Sequence, residues 1–330
     1  MRKCLSISAV AATIGLAATA MGGPGADPVE VTAHSIERFS VGLDQSVFGA
    51  LEFLGGLDLI ARDRRFSGLS GLELSGDGRT AYMVSDRGFL VRARLDYRDG
   101  RLVGLSDVAI SEIFADGRHD KENTDAEDIV VFGDPPVGAV VSMERRREPL
   151  LRFSFDGVRL SHPRPIEIDK AARDLPRNAG LESVAAFPAA SPYAGALLAI
   201  GEAPRRRADP YIDAWIVGVG SLRIVARDNF SITAARFLPG GDLLLLERRF
   251  TASDGIGMRL RRIAGPQIRP GATLDGAVLL EAGMLQQIDN MEGLAVHRDA
   301  RGRTILTLVS DDNASILQRT LLLQFALNDR

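Results

Sequence analysis

The chain carries Glu127-Asp128-Ile129-Val130-Val131-Phe132, a turn at Gly133-Asp134-Pro135-Pro136, then Ala139-Val140-Val141-Ser142-Met143 ending at Glu144. Two short apolar runs joined by a Gly/Asp/Pro turn signal a β-hairpin. The runs are nearly continuous rather than alternating, which predicts strands buried on both faces. A glutamate stands at each open end of the hairpin.

The same layout recurs along the chain. Before it come Ser70-Gly71-Leu72-Glu73-Leu74, the turn Ser75-Gly76-Asp77-Gly78, and Thr80 to Val84 ending at Ser85-Asp86. After it, Glu182-Ser183-Val184-Ala185-Ala186-Phe187 is answered by Leu197 to Gly201 and Glu202. Thr233-Ala234-Ala235-Arg236-Phe237 turns at Pro239-Gly240-Gly241-Asp242 and returns through Leu243 to Leu246 and Glu247. Glu292-Gly293-Leu294-Ala295-Val296 pairs with Thr304 to Val309 and Ser310-Asp311-Asp312-Asn313.

A hairpin repeated with a spacing of roughly 50–60 residues, with strand-like pieces such as Leu150–Phe155 and Ala214–Val219 between, fits four-stranded blades around an axis. The expected fold is all-β, a single closed β-propeller. Five hairpins are visible, and residues 36–60 with the last strand, Leu321 to Leu327, are read as a sixth blade whose mixed termini close the ring. A β-sandwich with a helical insert is the alternative, and the lack of helical patterning favours the propeller.

Bulk properties bound the rest. Arg2 and Lys3 followed by the apolar Cys4–Ala17 and by Ala18-Thr19-Ala20 read as an export signal cleaved near Ala20. Residues 21–35 read as a flexible linker and 36–330 as the propeller, so the protein is expected in the periplasm or outside the cell. Cys4 is the only cysteine, so the mature chain forms no disulfide and depends on burial. Removing Arg2 and Lys3 moves the formal charge from −3 to −5, an acidity that argues against nucleic acid. No other apolar run approaches the roughly 20 residues that cross a bilayer.

In an antiparallel hairpin the start of one strand and the end of the next share one edge. Ring closure therefore predicts carboxylates gathered at one mouth: Asp86, Glu127, Asp128, Glu144, Glu182, Glu202, Glu247, Glu292, Asp311 and Asp312. Crowded like charges bind a cation, pair with arginines or take up protons. Oxygen donors without cysteine, and with only His34, His119, His162 and His297, all read as surface or loop residues, favour calcium over magnesium and argue against zinc, which wants histidine or cysteine. The metal set expected is Asp86, Glu127, Glu182, Glu292 and Asp311. Arginines follow the acids closely, and Arg87, Arg145 and Arg248 are the expected binders of an anionic substrate. No G-x-S-x-G, H-E-x-x-H or P-loop motif is present, and nothing points to an organic cofactor.

Gly68-Leu69-Ser70-Gly71-Leu72 with Val84-Ser85-Asp86-Arg87-Gly88, Gly180-Leu181-Glu182, and Met291-Glu292-Gly293-Leu294-Ala295 with Ser310-Asp311-Asp312-Asn313 and Leu317-Gln318-Arg319-Thr320-Leu321-Leu322 resemble the "esterase-like activity of phytase" family. The resemblance covers roughly residues 50–328 and implies an exported, propeller-like phosphoesterase or esterase. Ser70 and Thr233 depart from it, standing where other repeats carry Glu. The function expected is metal-dependent hydrolysis of a small phosphate ester, with Glu182, Glu127 and Asp311 catalytic. A non-catalytic binding propeller and a calcium-dependent lactone or carboxylic ester hydrolase are the alternatives.

Overall fold

The computed structural model describes residues 25–114, 121–176, 179–253 and 255–328. The export segment, Cys4 and His119 lie outside the described residues. Within them the chain is almost wholly β, with short helices only at Lys121–Thr124, Lys170–Arg173 and Gly265–Gln267.

Five sheets surround a common axis as five blades. Their innermost strands are Leu69–Leu74, Ala126–Phe132, Leu181–Ala186, Ser231–Phe237 and Asn290–Arg298. Each packs on the next, and the last packs back on the first, so the ring closes by side-chain packing and not by hydrogen bonds between sheets. The near-continuous apolar runs are explained by this arrangement: both faces of each blade meet a neighbour. Thr304–Asp311 and Thr320–Leu327 are buried along their whole lengths.

The expected sixth blade is not formed. Leu51–Ala61 and Thr320–Leu327 do pair with each other, but in the same sheet as Asn290–Arg298 and Thr304–Asp311. The terminal segments supply the outer strands of the fifth hairpin and have no inner hairpin of their own. Part of the stretch read as a linker is likewise in register: Asp27–Pro28 pairs with the outer strand of blade 1, and Val31–Ile36 with Leu51–Ala61.

Close approach of the inner strands requires small residues. A Cβ on Gly293 would lie 2.6 Å from Val309 and 3.0 Å from the backbone nitrogen of Leu72 in blade 1. The axis is plugged by Arg236 and Asp128. The guanidinium of Arg236 donates to both Asp128 oxygens at 2.8 and 2.7 Å, and to the carbonyls of Leu72, Ile129, Val184 and Ala235. Asp128 also accepts from Ser183 Oγ and Val184 N–H at 3.1 Å. Asp128 was expected at the mouth; it lies inside the ring because it follows Glu127 and points to the opposite side of the strand. Glu73 stands 3.6 Å from Arg236, and burial pushes its carboxyl up to about 7.

Arg236→Met would leave Asp128 buried without its counter-ion. It is expected to cost about 3–5 kcal/mol in urea unfolding, whereas Arg236→Met with Asp128→Leu should recover much of that loss. Equal losses in the single and double variants would contradict the plug's role.

Candidate functional site

Every inner strand carries one extra residue at the same height. Pairing skips Ser70 in blade 1, Glu127 in blade 2, Glu182 in blade 3, Thr233 in blade 4 and Glu292 in blade 5. A bulge of this kind leaves its extra residue out of the ladder and re-aims the side chain. Four of these five side chains line one pocket at the mouth, with a volume of about 960 Å³. The fifth, Thr233, turns aside and donates to the Met291 carbonyl at 3.0 Å.

A second tier comes from the ends of the returning strands. Asp86, Glu144, Glu202 and Asp311 line the pocket, and the register places Arg248 at the matching position of blade 4. Glu247, expected in this ring, is one residue out of phase and so faces the other side of its strand. It is fully buried and accepts from Arg259 at 2.9 Å and from Arg261 at 2.8 and 2.5 Å. Asp312 is also drawn off, accepting from the backbone N–H of Gly68 and Ala314.

The five residues expected to hold metal, Asp86, Glu127, Glu182, Glu292 and Asp311, all line the pocket. The closest groupings differ from that set. Asp125, Glu127 and Glu144 bring carboxylate oxygens within 4.8 Å of one another, as do Glu144, Glu182 and Glu202. Glu292 is instead engaged by Arg248 Nε at 3.0 Å and by Asn290 Nδ2 at 2.6 Å, and Asp311 accepts from Asn313 N–H at 2.6 Å.

Of the expected anion binders, Arg145 and Arg248 line the pocket. Arg87 does not; its guanidinium donates to Ser67 Oγ at 3.2 Å. Arg145 Nε sits 2.8 Å from Asp125 and 3.3 Å from Glu144, and Arg248 bridges Glu202 and Glu292. Among the described residues, the two terminal nitrogens of Arg145 and Nη1 of Arg248 have no hydrogen-bond partner.

Asp125 and Arg319 belong to the pocket and escaped the sequence reading. Asp125 lies just outside the apolar run, and its place opposite Glu144 follows only from the hairpin register. His297, read as a surface residue, is buried, and burial lowers its affinity for a proton.

Five of the pocket's carboxylates do not ionise as isolated groups would. Burial, then the charges of neighbouring acids, pushes Glu127 and Glu182 well above the usual range. Burial raises Glu202 as well, lifts Glu292 to about 8 and lifts Asp311 to about 7. Glu182 is the sharpest case: its Oε2 is buried and has no hydrogen-bond partner among the described residues. Such an oxygen requires a proton or a cation. With only oxygen donors gathered around it, the pocket could hold a hard metal ion.

Fold and pocket define a five-bladed β-propeller with a carboxylate-lined mouth. The chain belongs to the phytase-like family, whose profile, described as "esterase-like activity of phytase", matches residues 64–314. Among solved structures it is similar to an α-L-arabinofuranosidase from Podospora anserina in complex with cellotriose, at 9% identity, 81% of this chain, 94% of that one and a TM-score of 0.48. It is also similar to a protein from Thermus thermophilus described as an oxidoreductase (glucose dehydrogenase), at 13% identity, 88% of this chain, 100% of that one and a TM-score of 0.36. Similarities this low carry no weight for the chemistry. No curated protein matches the chain. No helix among the described residues is long and apolar enough to cross a membrane.

The raised acids set a sign for stability. A carboxyl whose folded pKa is raised favours folding while protonated, fully so below its ordinary value of 4.5, and that contribution is lost as pH rises through the folded value. Metal-free protein in chelator should therefore lose thermal stability between about pH 5 and 8. Calcium, which binds the ionised form, should restore it most at the upper end. Scanning calorimetry across that range, with and without chelator, checks this; a metal-free melting temperature that rises with pH would contradict it.

Proposed function

We propose that the protein is an exported, calcium-dependent hydrolase of small phosphate esters. The observation that carries this reading is the buried oxygen of Glu182, without a hydrogen-bond partner among the described residues and grouped with carboxylate oxygens of Glu144 and Glu202 within 4.8 Å of one another. All-oxygen donors of adjustable geometry suit calcium better than magnesium. Glu144, Glu182 and Glu202, one of the two close groups, would hold it; bound there, it would neutralise charge on a phosphoryl group and polarise it.

The chain's own residues supply the rest. The terminal nitrogens of Arg145 and Nη1 of Arg248 are available to grip phosphoryl oxygens, and the ion pairs of these arginines to Asp125, Glu144, Glu202 and Glu292 fix their direction. Asp311 lines the same pocket outside both close groups. With its pKa near 7, it can take a proton from the attacking water or return one to the leaving alcohol. The family supports an anionic small molecule as substrate, and the basic and apolar pattern of residues 1–20 supports export.

A panel of aryl phosphate, aryl phosphodiester and lactone substrates, with and without chelator, tests the reading. Phosphate release should require calcium, and Glu182→Gln, isosteric and neutral, should lower it by about 100-fold while the protein stays folded. Turnover of the lactone alone would favour the carboxylic ester alternative. Tight calcium binding with no turnover of any substrate would make this a binding propeller.

A further inference from the structure

One sector of the mouth is apolar. Phe250 stands near the end of its strand in blade 4, opposite Ile256 across the hairpin. Met284 lies over Gly255, whose φ of +70° and missing side chain make the room; a Cβ there would sit 2.3 Å from Met284 Sδ. Val41 comes from a distant loop that is tied to the one carrying Met284. Val41 N–H donates to the Leu285 carbonyl at 2.9 Å, and Gln287 N–H to the Phe39 carbonyl at 2.7 Å. Leu317 enters from the loop that follows Asp311. These side chains line the same pocket as the acids.

Their exposure is unusual for this molecule. The four most exposed large apolar side chains among the described residues are Ile316, Leu317, Phe250 and Leu285, and all four belong to the loops and strand end of this sector. Phe250 is 77% exposed and Leu317 88%. Apolar side chains left in water stabilise nothing in the fold. Gathered at the lip of a polar pocket, they mark a surface that something else covers.

Charge narrows what that is. The carboxylates lining the pocket outnumber its three arginines threefold. With three arginines in the pocket, and Arg145 and Arg248 already paired to acids, the cationic groups suit one phosphoryl group rather than many. A single phosphoryl group attached to an apolar body would satisfy both halves of the pocket.

We infer that the pocket takes an amphiphilic phosphate ester, with its one phosphoryl group among the acids and arginines and its alkyl or aryl group lying on the wall of Phe250, Ile256, Met284 and Leu317. The phosphoryl half of this inference rests on the function proposed above; the apolar half rests on the wall alone. A fully buried methylene strengthens binding about fourfold, and a wall that covers one side of a chain should give about twofold.

The test is calorimetric binding of non-hydrolysable alkylphosphonates, methyl through hexyl, to the calcium-loaded protein. Affinity should rise about twofold per methylene. In the double variant Phe250→Ser, Leu317→Ser, whose changes are on the surface, the slope should flatten while methylphosphonate affinity is unchanged. A flat slope in the unaltered protein, an unchanged slope in the variant, or no phosphonate binding at any length would overturn the inference. A flat slope combined with variant-sensitive binding to phosphatidylcholine vesicles would assign the wall to lipid docking and overturn it too. Chain-length-dependent binding without turnover of any ester would leave this subsite standing and overturn the hydrolysis.

Discussion

The molecule is organised around one buried ion pair. Arg236 comes from blade 4, Asp128 from blade 2, and the carbonyls that take the remaining guanidinium protons come from blades 1, 2, 3 and 4. Removing two charges from water is expensive, and such a pair is tolerated only where its hydrogen bonds are nearly complete. Here they are, and completing them requires four inner strands to stand at fixed distance and height around the axis. Apolar contacts such as those of Leu72 and Val309 with Gly293 would tolerate small slips; a bidentate pair with four carbonyl acceptors would not. The plug also sits just inside the mouth, since Asp128 follows Glu127 in sequence. The floor of the pocket and the lock of the ring are adjacent residues.

That lock sets the height of the five bulges, and the bulges make the site. An unbroken ladder would alternate side chains between faces, and Glu127, Glu182 and Glu292 would be drawn into the packing between blades. One extra residue per strand turns them toward the axis instead. Ser70 and Thr233 occupy the same position without charge, so acids concentrate on blades 2, 3 and 5. Blade 4 is distinct in the second tier as well, where Arg248 replaces a carboxylate and reaches to both sides, toward Glu202 and Glu292. The pocket is therefore asymmetric although the scaffold is nearly regular: acids close-packed on blades 2 and 3, an arginine over blade 4, and an apolar lip where the loops of blades 4 and 5 meet.

The sequence made the hairpins and their shared edge legible because both follow from local signals, namely apolar runs, Gly/Asp turns and polar stops. It misled about blade number because the sheet a strand pair joins leaves no local trace: the pairing of the early segment with the last strand was read, but nothing in Leu51–Ala61 or Thr320–Leu327 says that both extend the hairpin of Asn290–Asp311. Glu247 and Asp128 were misplaced for a related reason. Each sits one residue from a position that faces the pocket, and the bulges that decide which residue faces inward are invisible in composition. Asp125 was overlooked because it precedes its strand, and the apolar lip because exposed Phe250, Met284 and Leu317 come from a strand end and two loops at separate places in the sequence.

The seam of blade 5 has a consequence for the order of assembly. Thr320–Leu327 is inserted between Leu51–Ala61 and Thr304–Asp311, hydrogen-bonded to both. A nascent chain can build blades 1 to 4 as each hairpin appears, but two naked strand edges stay open until the final segment is made and threads between them. Pairing of Leu57 with Leu322 is among the least local contacts in the molecule, and contacts of that kind form slowly. The fifth blade thus becomes a continuous sheet only in its last step.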